Sequence, residues 1–185
     1  LLLIFVACNK NEEPVTNFDK GVMYFDKGDY FNSEKYFLKS EETNIDNSLI
    51  YLLKIYEKKK DEVKIKSVLN TIKEKPTLIF PLAYEYLNGS DTLEKNEERA
   101  RNLFEVGAKH EDKMSYLALG NIYEHGLGVK INLIKSKSYY EKSGFNLELK
   151  NTLGINYLTF IEGLRYEKGI DKPKDIDKAK ELYKK

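Results

Sequence analysis

The chain has 185 residues, enough for one domain of ordinary size or two small ones. Charged residues make up 33%, above the ~25% of ordinary domains, so a large polar surface is expected. The 31 basic and 30 acidic residues nearly cancel, which removes the field that phosphate-backbone binding needs and argues against a nucleic-acid partner. A single cysteine excludes an intramolecular disulfide and a thiolate zinc site.

Residues 1–7, Leu1-Leu2-Leu3-Ile4-Phe5-Val6-Ala7, are apolar but far short of the ~20 that cross a bilayer as a helix, and fit the back half of a signal-peptide apolar region ending in a small residue. With no starting methionine and no basic stretch in front, this end is expected to be cut. Val6-Ala7-Cys8 resembles the lipobox of bacterial lipoproteins, with Phe5 where Leu is usual. That resemblance implies cleavage before Cys8, lipid attachment to its sulfur and acylation of the new amino end. Residues 8–14 then form a lipidated cysteine and a polar tether, and the protein sits at the cell envelope, lipid-anchored on a periplasmic or outer-surface side. The alternative is a buried Cys8 in an ordinary first helix.

From residue 15 onward the chain compares with itself. Tyr24, Tyr56, Tyr86, Tyr123 and Tyr166 each close an apolar helical pattern, and each precedes a second apolar anchor: Phe37, Leu69, Phe104, Tyr140 and Tyr183. Four residues before each anchor stand Ser33, Ile65, Ala100, Ser136 and Ala179, mostly small, as close helix approach requires. Glycines at Gly28, Gly89, Gly126 and Gly169 stop the first helix of their units. The units run over about 15–44, 46–75, 77–109, 111–144 and 149–185, with no strand pattern. The last helix is expected to stop at Lys184-Lys185 in mid-pattern. The fold expected is all-α, a right-handed α-solenoid of about five helix-turn-helix repeats in which each unit touches its neighbours. An irregular helical bundle is the alternative.

Tyrosine and anchor stand 13 residues apart in the first two units, and Asn17 to Tyr30 resembles the first helix and turn of a tetratricopeptide repeat. The spacing grows to 18, 17 and 17 in the last three. Leu119-Gly120-Asn121-Ile122-Tyr123-Glu124-His125-Gly126-Leu127-Gly128-Val129, followed by Lys135 to Ser143, resembles the Sel-one-like repeat family, with Ser136 where Ala is usual. Cysteine-rich members of that family carry a disulfide in each repeat, and weak β-lactam hydrolysis is attributed to them. The cysteine pairs are absent here, so that activity does not carry over.

The residues give little to catalysis. Gly126-Leu127-Gly128 has no strand before it and no Gly-Lys-Ser/Thr after it, so it reads as a repeat turn and not as a phosphate cradle. His110 and His125 lack a partner at metal-ligand spacing, and no Gly-x-Ser-x-Gly elbow exists. Glu97, Glu98, Asp175 and Asp177 fit helix starts, where acids suit the dipole. No catalytic residue, metal site, cofactor or small-molecule substrate is expected. The surface remains. In tetratricopeptide-like stacks the first helices line the concave side, and this register assigns Val22, Phe25, Lys54, Glu57, Tyr84, Leu87, Asn121, Glu124, Leu164 and Glu167 to a groove for a protein or peptide partner. Alternatively, Phe25, Leu87 and Leu164 are core. The function expected is a membrane-tethered, non-catalytic scaffold. An immunity or inhibitor protein against a toxin, or a hydrolase acting on cell-wall material, are the other readings.

Overall fold

The computed structural model describes residues 16–40, 42–144, 157–169 and 173–184, and every regular element among them is helical. Cys8 and its flanks lie outside these residues, as does the start of the fifth repeat. Five helix pairs follow one another: α1 (Asn17–Asp26) with α2 (Tyr30–Phe37), α3 (Ile45–Lys59) with α4 (Glu62–Lys73), α5 (Pro76–Asn88) with α6 (Glu97–Lys109), α7 (Lys113–His125) with α8 (Leu133–Ser143), and α9 (Tyr157–Lys168) with α10 (Ile176–Tyr183). A short 3-10 turn, Glu42–Asn44, leads into α3. The chain divides into two compact units, residues 1–68 and 69–185.

One joint recurs in all five pairs. The backbone amides of Asp29, Asp61, Asn96, Asn132 and Asp175 donate to the carbonyls of Tyr24, Tyr56, Tyr86, Tyr123 and Tyr166 at 2.7–3.0 Å. The five tyrosines that set the sequence register are thus the residues on which the second helix is hung. Each donor then caps that helix. Its side-chain oxygen accepts from the amide three residues on, in Asn32, Lys64, Arg99, Lys135 and Lys178. Such caps satisfy amides that have no partner inside the helix, and each contributes ~1 kcal/mol.

Packing inside three of the pairs depends on a missing side chain. A Cβ added to Gly21 would lie 2.6 Å from the Phe37 ring, and one added to Gly120 would lie 2.6 Å from the Tyr140 ring. Gly163 stands in the same relation to Tyr183. Glycine therefore lets the aromatic anchor of the second helix lie flat on the backbone of the first. The small positions one turn before the anchors, Ser33, Ile65, Ala100, Ser136 and Ala179, are all buried. Ser33 also donates its hydroxyl to the Gly21 carbonyl at 2.9 Å.

The two units fill their cores differently. In the first, Tyr51 collects three rings, Phe37 at 4.8 Å, Phe25 at 5.0 Å and Phe18 at 5.9 Å between centroids, joining α1, α2 and α3. In the second, aliphatic residues dominate, among them Ile79, Leu82, Leu103, Leu119, Ile122 and Ile161, around the anchors Phe104 and Tyr140. There α5 packs on α6, α6 on α7 and α7 on α8, so α7 is enclosed between second helices of successive pairs. Among the described residues no helix is long and apolar enough to cross a membrane.

Candidate interaction surface

The first helix of each pair positions the expected groove residues, and the structure gives them unequal fates. In the first unit Val22, Phe25, Lys54 and Glu57 are all half-buried, and the Phe25 ring meets Tyr30 at a tilt and Tyr51 edge-on. Leu87, 4% exposed, is a core side chain. Leu164 is half-buried. The core alternative thus describes Leu87, whereas Phe25 and Leu164 are half-buried.

The position four places after the packing Gly or Ala explains the acids. Tyr140 donates its hydroxyl to Glu124 at 2.5 Å, and Tyr183 donates to Glu167 at 2.7 Å. Burial first and the neighbouring carboxylate second push both phenols well above their ordinary value. Where the anchor is a phenylalanine, as at Phe37 and Phe104, the corresponding residues are the apolar Phe25 and Leu87. Both tyrosine anchors thus meet a carboxylate and both phenylalanine anchors an apolar side chain, while the second pair sets Glu57 against the aliphatic anchor Leu69. Glu124 and Glu167 are engaged inside their own pairs.

The middle of the expected groove is also occupied by the chain itself. The Arg165 guanidinium of α9 lies 4.4 Å from the centre of the Tyr84 ring on α5, and Glu162 holds that arginine by an ion pair at 2.7 Å. Burial raises the Tyr84 phenol, Arg165 opposes that shift, and Glu162 adds to it. Between these two helices in the repeat order comes α7. Its Asn121, at the position matching Tyr84, is 5% exposed and meets His125 Nδ1 at 3.1 Å. First and third pairs of the second unit thus touch directly. The expectation that each unit touches only its neighbours does not describe this contact, which joins first helices two pairs apart.

A second layer of side chains follows the joints. Lys64, Arg99 and Lys135, whose amides are capped, carry their cations over Tyr56, Tyr86 and Tyr123 at 4.9, 5.9 and 5.0 Å. Each contact contributes about 0.5–1 kcal/mol at an exposed site. In the first unit Glu34 accepts from Lys59 at 2.6 Å and Lys64 at 2.7 Å. Burial pushes the Glu34 carboxyl up, but these two bonds outweigh it and hold the group below its ordinary value. Glu97, Glu98 and Asp177 stand in first helical turns and Asp175 is a cap, as their sequence contexts suggest. His110 and His125 are both exposed at helix ends. Among the described residues no group of three or more His, Cys, Asp or Glu is placed to hold a metal ion.

Successive antiparallel helix pairs, joined by one repeated hydrogen bond and one repeated cap, define a helical-repeat scaffold. Residues 80–112, 113–144 and 163–185 match the Sel1 repeat, so the chain carries three repeats of that family. The two pairs with short turns precede the matched stretches. No match to a curated protein is found. Among solved structures, the chain is similar to c5321, a protective antigen present in uropathogenic Escherichia coli strains displaying an SLR fold, with 24% identity and a TM-score of 0.44 over 90% of this chain and 36% of that one. It is also similar to a Sel1 repeat protein from Oxalobacter formigenes, with 19% identity and a TM-score of 0.40 over 90% of this chain and 67% of that one. The chain spans about a third of the length of the first of these.

Proposed function

We propose that the chain is a non-catalytic scaffold that binds a protein or peptide partner on the first helices of its repeats and is held at the cell envelope by acylation of Cys8. The observation that carries the binding reading is the array of Sel1 repeats, an architecture that builds extended surface from stacked pairs. The fate of the polar groups supports it. Glu124 and Glu167 serve anchor hydroxyls, and Asn96, Asn132 and Asp175 cap helices. The half-buried Lys54 and Glu57 on α3 stand at positions that the repeat register assigns to the groove, and they are the ones to probe in the first unit.

Capture of partners on the acylated full-length chain, identified by mass spectrometry, tests the reading. Lys54→Glu with Glu57→Lys should weaken capture about tenfold, equivalent to ~1.4 kcal/mol, and leave melting unchanged. The exposed second-helix changes Lys66→Ala and Asn102→Ala should alter neither. Equal capture by all variants would place recognition elsewhere. The anchor is tested separately. Wild type should label with palmitate analogues and fractionate with membrane, and Cys8→Ser should abolish both. A Cys8→Ser chain that stays acylated would end the lipoprotein reading.

A further inference from the structure

The turn into α8 and its first residues carry Ile131, Leu133 and Ile134, exposed by 63, 65 and 86%. Internal symmetry shows that the fold does not require them. The same places around the cap hold Lys95, Glu97 and Glu98 beside Asn96 in the preceding pair, and Lys174, Ile176 and Asp177 beside Asp175 in the following one. Glu98 and Asp177 suit a helix start, where acids complement the dipole, and Ile134 forgoes that stabilisation. Clustered exposed aliphatics of this kind mark a contact surface.

The charges nearby identify the partner. Lys130, Lys135 and Lys137 interleave with the three aliphatics and are exposed, and residues 126–140 contain no Asp or Glu. Lys135 rests over Tyr123, and Lys137 approaches Glu141 at 3.9 Å. The whole chain has a net charge of only +1, so this basic cluster is local. Side chains this exposed are free to leave the protein surface and enter another phase. Projecting aliphatics among lysines suit the boundary of an anionic bilayer, where methyl groups enter the acyl region and ammonium groups stay among headgroups. We infer that Ile131, Leu133 and Ile134, with Lys130, Lys135 and Lys137, form a docking patch for an anionic lipid surface. The inference does not depend on acylation of Cys8.

The test uses the full-length Cys8→Ser chain, which removes the anchor, and vesicles of phosphatidylcholine with or without phosphatidylglycerol. The chain contains no tryptophan, so Ile134→Trp supplies a single reporter. Its emission should shift to the blue with phosphatidylglycerol vesicles and much less with neutral ones, and the shift should weaken as salt rises. Ile131→Ser, Leu133→Ser and Ile134→Ser together should reduce co-sedimentation at least about tenfold with unchanged circular dichroism. The set Ile131→Lys, Leu133→Glu and Ile134→Glu, copied from the preceding pair, should do the same on a pattern that the fold already accommodates. Absence of a blue shift, or undiminished vesicle binding by both triple variants, would overturn the proposal. A shift with soluble polyglutamate but not with vesicles would also overturn it and assign the patch to an acidic protein segment.

Discussion

In the first unit the second helix is hung five residues after the tyrosine carbonyl, from Tyr24 to Asp29 and from Tyr56 to Asp61. In the second unit ten residues separate Tyr86 from Asn96, and nine separate Tyr123 from Asn132 and Tyr166 from Asp175. Hydrogen bond and cap survive the longer turn. The joint between paired helices is therefore defined at its two ends, and the intervening chain needs only to return. Ring packing tells the same story, since Gly21 under Phe37 and Gly120 under Tyr140 leave equal room despite different turns. What differs is the use of the anchor, bare among aromatic rings in the first unit and bonded to a carboxylate in the last two pairs of the second.

The strongest way to break this equivalence is to remove an anchor. Phe37→Ala and Tyr140→Ala should each cost about 3–5 kcal/mol, read from denaturant midpoints, because each empties a buried ring site. A negligible loss in one of them would mean that the two kinds of pair are not built alike. Filling the space from the other side should cost less. Gly21→Val and Gly120→Val should destabilise by about 1–3 kcal/mol each, as overpacked sites do.

Removing a cap tests whether the long turn stiffens itself. Asp29→Ala and Asn132→Ala should both cost ~1 kcal/mol in thermal or chemical melts. If Asn132→Ala were silent while Asp29→Ala was not, the longer turn would hold α8 without its cap. The smallest effects are read against pH, where Tyr56 of the first unit is raised in the same direction as Tyr140 and Tyr183. Tyr140 and Tyr183 keep their protons more firmly when folded, so their contribution is complete below pH 10.0 and is lost as pH rises above it. Glu34 keeps its charge more firmly when folded, so its contribution is present above about pH 4.5 and is lost as pH falls. Tyr140→Phe with Tyr183→Phe should flatten the alkaline limb of a stability profile, and Glu34→Gln the acid limb. The Glu34 effect is of the ~0.2–1 kcal/mol order of ion pairs near the surface. Unchanged limbs in these variants would mean that these groups do not couple to folding.

Much of the fold is legible in the residues because helical repeats write the same contacts again and again. Tyrosine, small residue and anchor recur, and the structure puts carbonyl joint and buried neighbour at those places, with a packed ring at every anchor but the half-buried Leu69. The caps were within reach too, since Asp29, Asp61, Asn96, Asn132 and Asp175 each stand four residues before the small position. The inner surface was harder to read. On a helix, the residue four places beyond Gly120 lies over the Tyr140 ring and also beside the inner face, and only coordinates show Glu124 turned to the hydroxyl. Arg165 was not among the expected groove residues, because its contact with Tyr84 joins alternate pairs and leaves no trace in a repeat period.

That contact gives the second unit a mechanical character. Pulled from its ends, a stack held only between adjacent pairs would peel one pair at a time, with similar forces. The stitch from α5 to α9 forms a loop of chain that contains the whole α7–α8 pair. Extension of that pair must wait until the Arg165 guanidinium leaves the Tyr84 ring, so the first rupture releases a long slack and the elements inside lose their restraint together.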